Sequence, residues 1–324
     1  MAESLNWGLI GAGGIAGTFA SNLQYAESAV KYAVGSRRLD KAQAFAKQHG
    51  IAKAYGSYGA LLADDAVDAV YVATPHPEHC APVLAAAAAG KHILCEKPMG
   101  VTPKECEQMI AAADKAGVVL LEAFMYRTHP QIERLNQLLA DGAIGALRTV
   151  RSSFCYGLGP GYNVRIDRDL RGGGLYDVGC YCINFSRMIA GDEPDDIQAV
   201  WALGAETGVD ETLGASLHFP NGVVAQFDVG IRSAGSARAE LLGTEGSIWV
   251  PAPWKPAADR AEILVRRSGH AEEVVAIENG GSIFALEADH LAAVVAGESE
   301  PLIPAQNAVG NAVVLDEIWR RMHG

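Results

Sequence analysis

The sequence has no apolar run approaching the ~20 residues that a bilayer-spanning helix needs. The longest, around residues 83–89, is short and rich in alanine. It opens Met1-Ala2-Glu3-Ser4, without the basic stretch of a secretory leader, so a cytoplasmic protein is expected. The cysteines Cys80, Cys95, Cys106, Cys155, Cys180 and Cys182 form no C-x-x-C pair and are expected as reduced thiols, mostly in the core. Zinc-ligand spacing and H-E-x-x-H are both absent, so no metal is expected. Basic residues are scarce: 26 Lys and Arg against 38 Asp and Glu leave a net charge of −12. Such a surface repels nucleic acid and anionic lipid, and an anionic ligand would need a local basic cluster. What is present, 49% hydrophobic and 20% charged residues, is the composition of a globular chain and excludes a disordered tail, a collagen-like repeat or a coiled-coil rod. At roughly 150 residues per domain, a chain of 324 residues predicts about two domains.

Residues 1–124 alternate short apolar runs with helical patterns. Strands are predicted at 5–10, 30–35, 68–73, 92–95 and 118–124, with helices at 15–25, 39–49, 82–89 and 103–116. Strands buried on both faces and separated by helices define an α/β, doubly wound parallel sheet. The pattern then changes. After a helix at 130–140, β-rich stretches occupy 147–156, 197–203, 213–231, 238–250 and 262–277. Pro220-Asn221-Gly222 and Thr244-Glu245-Gly246 read as hairpin turns, which make the strands they join antiparallel. Helices are predicted at 175–190, 283–296 and 305–321. The expectation is an α/β domain over 1–124 and an α+β domain over 125–324.

The first strand runs into Gly11-Ala12-Gly13-Gly14-Ile15-Ala16, a G-x-G-x-x-A turn that opens a helix. Gly11 permits the tight turn, Gly13 lets backbone approach a pyrophosphate, and Ala16 allows close helix–strand contact. The unpaired amides and partial positive charge of the helix start, at Gly14 and Ile15, suit phosphate. Where a site for NAD carries Asp or Glu, after the second strand, this chain has Ser36-Arg37-Arg38, with Lys41 one helical turn on. A carboxylate there would repel a 2′-phosphate, whereas guanidinium pairs with it, so NADP(H) is expected over NAD(H). Thr74-Pro75-His76-Pro77 ends a strand on the rim where such sheets bind ligands. His76 reads either as a cofactor contact or as a structural turn residue, and His79 as a local hydrogen-bonding group.

Cys95-Glu96-Lys97-Pro98 ends another strand and delivers Glu96 and Lys97 to that same rim; on its own this reads as an exposed turn, and beside a nucleotide site a reactive role is expected for Lys97. Further on, Gly172-Gly173-Gly174 turns into a predicted helix where Asp177 and Tyr181, four apart, share a face. A carboxylate and a phenol so placed suit a polyhydroxylated ligand. The alternative is that Tyr181 is a core residue beside Cys182 and Phe185.

The Gly11-to-Ala16 turn, Glu96-Lys97-Pro98 and the run from Gly172 to Tyr181 together resemble the Gfo/Idh/MocA oxidoreductase family, over essentially the whole chain. The stretches 53–58, 122–127 and 206–210 are similar to the branch of dimeric trans-1,2-dihydrobenzene-1,2-diol dehydrogenases and NADP-dependent D-xylose 1-dehydrogenases. The resemblance implies a Rossmann domain followed by an open-faced, mainly antiparallel sheet domain, and places the catalytic lysine on Lys97 and the catalytic tyrosine on Tyr181. Arg37, Lys41, His76, Arg148 and Trp254 fall on positions that branch uses around cofactor and substrate. Animal diol dehydrogenases carry Trp where this chain has Met125, which favours an aldose over an arene diol. The implied chemistry is hydride transfer between nicotinamide and a carbinol carbon, C1 of a D-xylose-like aldose or a carbon of a trans-dihydrodiol. Tyr181 would be the proton acid/base, assisted by Lys97, with Asp177 holding a neighbouring hydroxyl or the Lys97 ammonium. The alternatives are an NADPH-dependent reductase of keto-sugars or dicarbonyls, and a non-catalytic nucleotide sensor. Val200 and Trp201 put apolar groups on both faces of one strand, and the resemblance implies a homodimer through the open sheet.

Overall fold

The computed structural model describes residues 4–161 and 163–324; the N-terminal start read at residues 1–3 lies outside them. Among the described residues the chain divides into two units, Met1–Thr128 with Ser282–Ala312, and His129–Gly281 with Val313–Gly324.

The first unit contains β1 (Leu5–Ile10), α1 (Gly14–Asn22), β2 (Ala29–Gly35), α2 (Leu39–His49), β3 (Lys53–Tyr55), α3 (Tyr58–Leu62), β4 (Ala69–Val72), α4 (Cys80–Ala88), β5 (His92–Glu96), α5 (Pro103–Ala116) and β6 (Leu120–Ala123). The strands form one parallel sheet in the order β3-β2-β1-β4-β5-β6. Every residue of β4 and β6 is buried, as a strand covered on both faces requires. The Thr102 hydroxyl accepts the Glu105 amide to start α5, and Gly117, at φ 68°, ends it. The direction in which strands are added reverses between β1 and β4. The turns after these two strands therefore sit at the switch point of the sheet.

The second unit begins with α6 (Pro130–Ala140) and β7 (Leu147–Gly157), followed by a π-helical turn at Leu175–Gly179 that runs into α7 (Cys180–Ala190). Then come β8 (Asp196–Leu203), β9 (Asp210–His218), β10 (Val224–Gly230), β11 (Arg232–Gly243), β12 (Gly246–Val250), β13 (Arg260–Arg267) and β14 (Glu273–Glu278). Their sheet has the order β14-β13-β12-β11-β7-β10-β9-β8 and is antiparallel except where β10 meets β7. The turns at 220–222 and 244–246 join antiparallel neighbours, as their residues predict. Burial alternates along the strands: Leu213, Ala215 and Leu217 on β9 and Ala225, Phe227 and Val229 on β10 face inward. The other face is open. Arg151, Gln226, Asp228, Arg238, Glu240 and Trp249 line a shallow depression of about 450 Å³ there, and Val200 is 75% exposed.

The chain ends with α8 (Ile283–Val295) and α9 (Asn307–His323). Here the structure corrects the division into 1–124 and 125–324: the first unit runs to Thr128 and takes back Ser282–Ala312. The cause is packing. Phe284, Ala288, Leu291 and Ala292 of α8 are buried, and the Asp289 carboxylate accepts the amides of Glu27 and Ser28 at 2.9 and 2.8 Å. Ala308 and Ala312 of α9 join the core cluster beneath the parallel sheet. The short elements β3 and α3 were not predicted; at three and five residues they show no usable periodicity. Among the described residues no helix is long and apolar enough to cross a membrane.

Candidate active site

In the first unit, Gly11 adopts φ +105°, and a Cβ there would lie 3.0 Å from the carbonyl oxygen of Ala73. Only glycine fits a chain turning this close to its neighbour. Gly13 caps α1 with no side-chain hydrogen bond, and the first turn of α1 holds no acidic residue. A methyl group at Gly13 or Gly14 would meet no atom within 4 Å. Uncapped amides facing open space, without a competing carboxylate, fit a dinucleotide pyrophosphate. Ile15 is exposed beside them.

Across the rim, Ser36 is buried, its amide bound to the Tyr55 carbonyl at 3.0 Å and its hydroxyl accepting the Arg38 amide at 3.4 Å. The two arginines differ. Arg38 is clamped by Asp40 in a pair two residues apart. Arg37 is 72% exposed and reaches Glu78 only at 3.5 Å. Lys41 is exposed on the first turn of α2. Of the basic groups in this loop, Arg37 and Lys41 are thus better placed to meet a phosphate than Arg38.

The turns after β4 and β5 are tied together by His79. Its buried ring sits 2.9 Å from the Thr74 carbonyl through Nε2, and 3.1 and 3.3 Å from the Pro98 and Met99 carbonyls through Nδ1. Burial outweighs the carbonyls, which favour a charged ring, and pulls its pKa down to about 4. The neutral ring donates to one side at a time. The Thr74 hydroxyl donates to the Glu78 carbonyl at 3.2 Å, and His76 begins a single 3₁₀ turn, half-buried.

Lys97 follows β5, joined to Pro98 by a cis peptide bond, and its side chain is half-buried. The carboxylates of Glu96 and Glu122 brace this turn, accepting the amides of Lys97 at 3.2 Å and Met99 at 2.7 Å. Glu96 was expected among the cofactor contacts. The structure buries it instead and gives its carboxylate the Tyr71 hydroxyl, so it acts as a support for the Lys97 turn. Met125 lies in a 3₁₀ turn and is buried.

In the second unit, Asp177 lies within the π turn and Tyr181 at the start of α7. The α-helical spacing that put them on one face does not hold across a π turn, whose hydrogen bonds are one residue longer. Such turns recur at functional sites. The Tyr156 hydroxyl donates to Asp177 Oδ2 at 2.5 Å, and Arg165 Nε donates to Oδ1 at 2.8 Å. Burial, with Asp177 adding to it, drives the Tyr156 phenol pKa upward, so this tyrosine stays neutral and donating.

Tyr181 is buried in an aromatic cluster. Its ring lies 5.3 Å from Phe154, edge to face, and 6.0 Å from Trp254. Trp254 was expected to touch substrate. It has no exposed surface, stacks on Phe154 at 5.8 Å, meets Phe185 at 5.5 Å, and gives its indole N–H to the Ser153 carbonyl at 3.0 Å. It therefore supports the Tyr181 ring from behind. Arg148, the other expected substrate contact, is exposed at the opposite end of β7 from Tyr156. At ~3.3 Å per strand residue that separation is roughly 26 Å, so the structure does not bring Arg148 to the Asp177 cluster.

Three groups here escaped the sequence reading: Tyr156, Arg165 and Asp210. Asp210, at the start of β9, accepts the Leu175 amide through Oδ2 at 2.7 Å. It is buried, and a Cβ on Gly173, whose φ is +116°, would lie 1.9 Å from Oδ1. The carboxylate explains why a glycine stands there. The only hint in the sequence was the position of Asp210 in the 206–210 stretch.

A Gly-rich turn at the switch point of a parallel sheet, followed by a mixed-sheet domain with an acid and a phenol at a π-helical start, defines a Rossmann-fold oxidoreductase. Residues 5–124 match the family model described as oxidoreductase family, NAD-binding Rossmann fold, and residues 132–249 match the GFO/IDH/MocA C-terminal domain. The chain belongs to the Gfo/Idh/MocA oxidoreductase family. It is 37% identical over 327 residues to trans-1,2-dihydrobenzene-1,2-diol dehydrogenase of Oryctolagus cuniculus, covering 96% of each chain. It is 42% identical over 257 residues to the protein of that name from Mus musculus, over 78% of this chain and 76% of that one. Among solved structures it is similar to a 3-ketoreductase from Actinomadura kijaniata in complex with TDP-benzene and NADP, with a TM-score of 0.85 at 29% identity over 97% of this chain and 96% of that one. It is also similar to an aldose-aldose oxidoreductase from Caulobacter crescentus, with a TM-score of 0.87 at 27% identity over 98% and 97%.

Proposed function

We propose that the chain is an NADP-dependent dehydrogenase of polyhydroxylated carbinols, oxidising an aldose of the D-xylose type at C1 to a lactone, or a trans-dihydrodiol. The observation that carries this reading is Asp177, fixed by Tyr156 and Arg165 in the π turn that leads directly to Tyr181. A carboxylate offers about four acceptor sites over two oxygens, and one fixed beside Tyr181 suits a ligand with several hydroxyls. The Gly11 turn would hold the pyrophosphate of NADP+, with Arg37 and Lys41 meeting its 2′-phosphate, and the bound cofactor would supply the hydride acceptor. Tyr181 takes the proton of the reacting hydroxyl. A free phenol ionises at about 10, too high for a base near neutrality, and the Lys97 ammonium favours its phenolate. The Actinomadura ketoreductase has been crystallised as a Lys-to-Ala and a Tyr-to-Phe mutant, and the two substituted residues stand as far apart in its sequence as Lys97 and Tyr181 do here. That spacing supports pairing these two groups in one reaction.

The test is an NADP+-linked screen over D-xylose, D-glucose, other aldoses and trans-diols, comparing kcat/KM. Turnover of a sugar or diol is expected, and none on any of them overturns the reading. The name of the Actinomadura protein favours a second reading, NADPH-dependent reduction of a keto-sugar. Running the screen in both directions, with α-dicarbonyls included, separates the two. The assembly we propose is a homodimer through the open face of the eight-stranded sheet. Arg151 and Arg238 stand there beside Asp228 and Glu240, a mixture of charges that a two-fold copy can match. Light scattering at micromolar concentration should give the dimer mass, and a monomer mass rejects it.

A further inference from the structure

The carboxylate of Asp210 is the group around which the Gly172–Gly174 turn is built. Leu175 lies 35 residues before it in the chain and gives it an amide hydrogen bond of 2.7 Å. The Gly174 backbone lies against the same carboxylate, and Gly173 packs so closely that no side chain fits between. The Leu175 amide opens the helical segment that carries first Asp177 and then Tyr181. A negative charge at that position completes the unpaired amides of a helix start and favours its dipole.

We propose that Asp210 is a positioning residue of the active site: through the Leu175 amide, and with Gly173 and Gly174 packed against it, its charged carboxylate fixes the start of the segment that bears Asp177 and Tyr181, and neutralising it lets that segment shift. The groups around it are few. The π turn presents Asp177, a like charge. The preceding loop presents the Arg165 carbonyl, which accepts the Gly173 amide at 2.8 Å, while the Arg165 side chain goes to Asp177. β10 presents Val229 and Gly230 beside Gly174. Glu211, next in sequence, is paired with Arg232 of β11 at 3.6 Å. Burial above all, opposed by the amides and aided by Asp177, pushes the Asp210 pKa up to about 7. Near neutral pH the group thus exists in both charge states, and the position of Tyr181 follows its titration.

The kinetic consequence rests on the function proposed above, but the device itself is read without turnover. The protein is labelled with [15N]leucine and [13Cζ]tyrosine, and Leu175 and Tyr181 are followed by NMR from pH 5 to 9. Tyr181 is assigned from Tyr181→Phe. Both resonances should move with a shared midpoint near 7 in the wild-type protein, and the Tyr181 movement should vanish in Asp210→Asn. A flat Leu175 trace overturns the proposal on the wild-type protein alone, whether or not the variant folds. A Tyr181 response unchanged in Asp210→Asn overturns it as well. On the preferred substrate, Asp210→Asn should lower kcat by about tenfold to a hundredfold, as slight misplacement of a reacting group does, with NADPH affinity unchanged. Wild-type kcat in that variant overturns the positioning role. If the wild-type protein turns over no sugar or diol, the proposed function fails while the NMR result still decides the role of Asp210.

Discussion

The Tyr156 hydroxyl donates to Asp177 Oδ2 at 2.5 Å, across 21 residues of sequence. With Arg165 on the other oxygen, it holds the carboxylate in one orientation at the entrance to α7. Tyr156→Phe removes one charge-assisted bond and leaves the ring. A hydrogen bond to a charged group contributes about 1.5–3 kcal/mol. Steady-state kinetics should therefore show kcat/KM for the polyol falling roughly tenfold to a hundredfold, with the KM for NADP+ unchanged. An unaltered kcat/KM would show that Asp177 needs no such restraint.

In the proposed function Arg37 is the residue that reads the 2′-phosphate of the cofactor. Its guanidinium is exposed and only loosely paired with Glu78, whereas Arg38 is held by Asp40. Arg37→Ala should lower the preference for NADP+ over NAD+, measured as a ratio of kcat/KM values at fixed ionic strength, by about tenfold or more. Arg38→Ala should change it less. Equal effects of the two would contradict the assignment.

His79 makes the fold sensitive to acid. Its folded pKa of about 4 lies below the 6.5 of an unrestrained ring, so the unfolded chain binds the extra proton first as pH falls. Its contribution to stability is present in full above pH 6.5 and is lost as pH drops toward 4. Thermal melts from pH 7.5 to 4.5 should show Tm falling through this window. His79→Gln should flatten the slope, and an identical slope in the variant would exclude His79 as its source.

Trp254 is a core residue. It fills space between Phe154, Phe185 and Tyr181, with its N–H satisfied. Trp254→Ala should cost about 3–5 kcal/mol of stability by urea unfolding. A loss in kcat/KM without a loss of stability would instead return it to the substrate.

The alternation of short apolar strands and helices made the parallel sheet legible, because strands buried on both faces leave an uninterrupted hydrophobic pattern. The Gly11 turn was legible for a related reason: strand, glycines and helix are contiguous. The hairpins at 220–222 and 244–246 were announced by their own turn residues. The placement of α8 was not legible. An amphipathic helix reveals that it has a buried face, not which surface covers it, and Asp289 meets Ser28 across 261 residues. Tyr156, Arg165 and Asp210 were hidden for the same reason, since their bonds to the π turn cross loops. The π turn itself was hidden because Leu175–Gly179 has no composition that separates it from an ordinary helical turn. Arg148 and Trp254 were taken from resemblance alone; the structure buries Trp254 among aromatic rings and places Arg148 at the far end of β7 from Tyr156.

The account depends most on Lys97 and Tyr181 sharing one proton-transfer step. The direct measurement is a double-mutant cycle on kcat, using Tyr181→Phe, Lys97→Ala and the double variant with the best substrate and saturating NADP+. Each single change should lower kcat by about 10²–10⁴, and the double variant should be little worse than either, because residues acting as a unit are not additive. If the two losses multiply, or if Tyr181→Phe turns over at the wild-type rate, Lys97 and Tyr181 do not work as one acid–base pair.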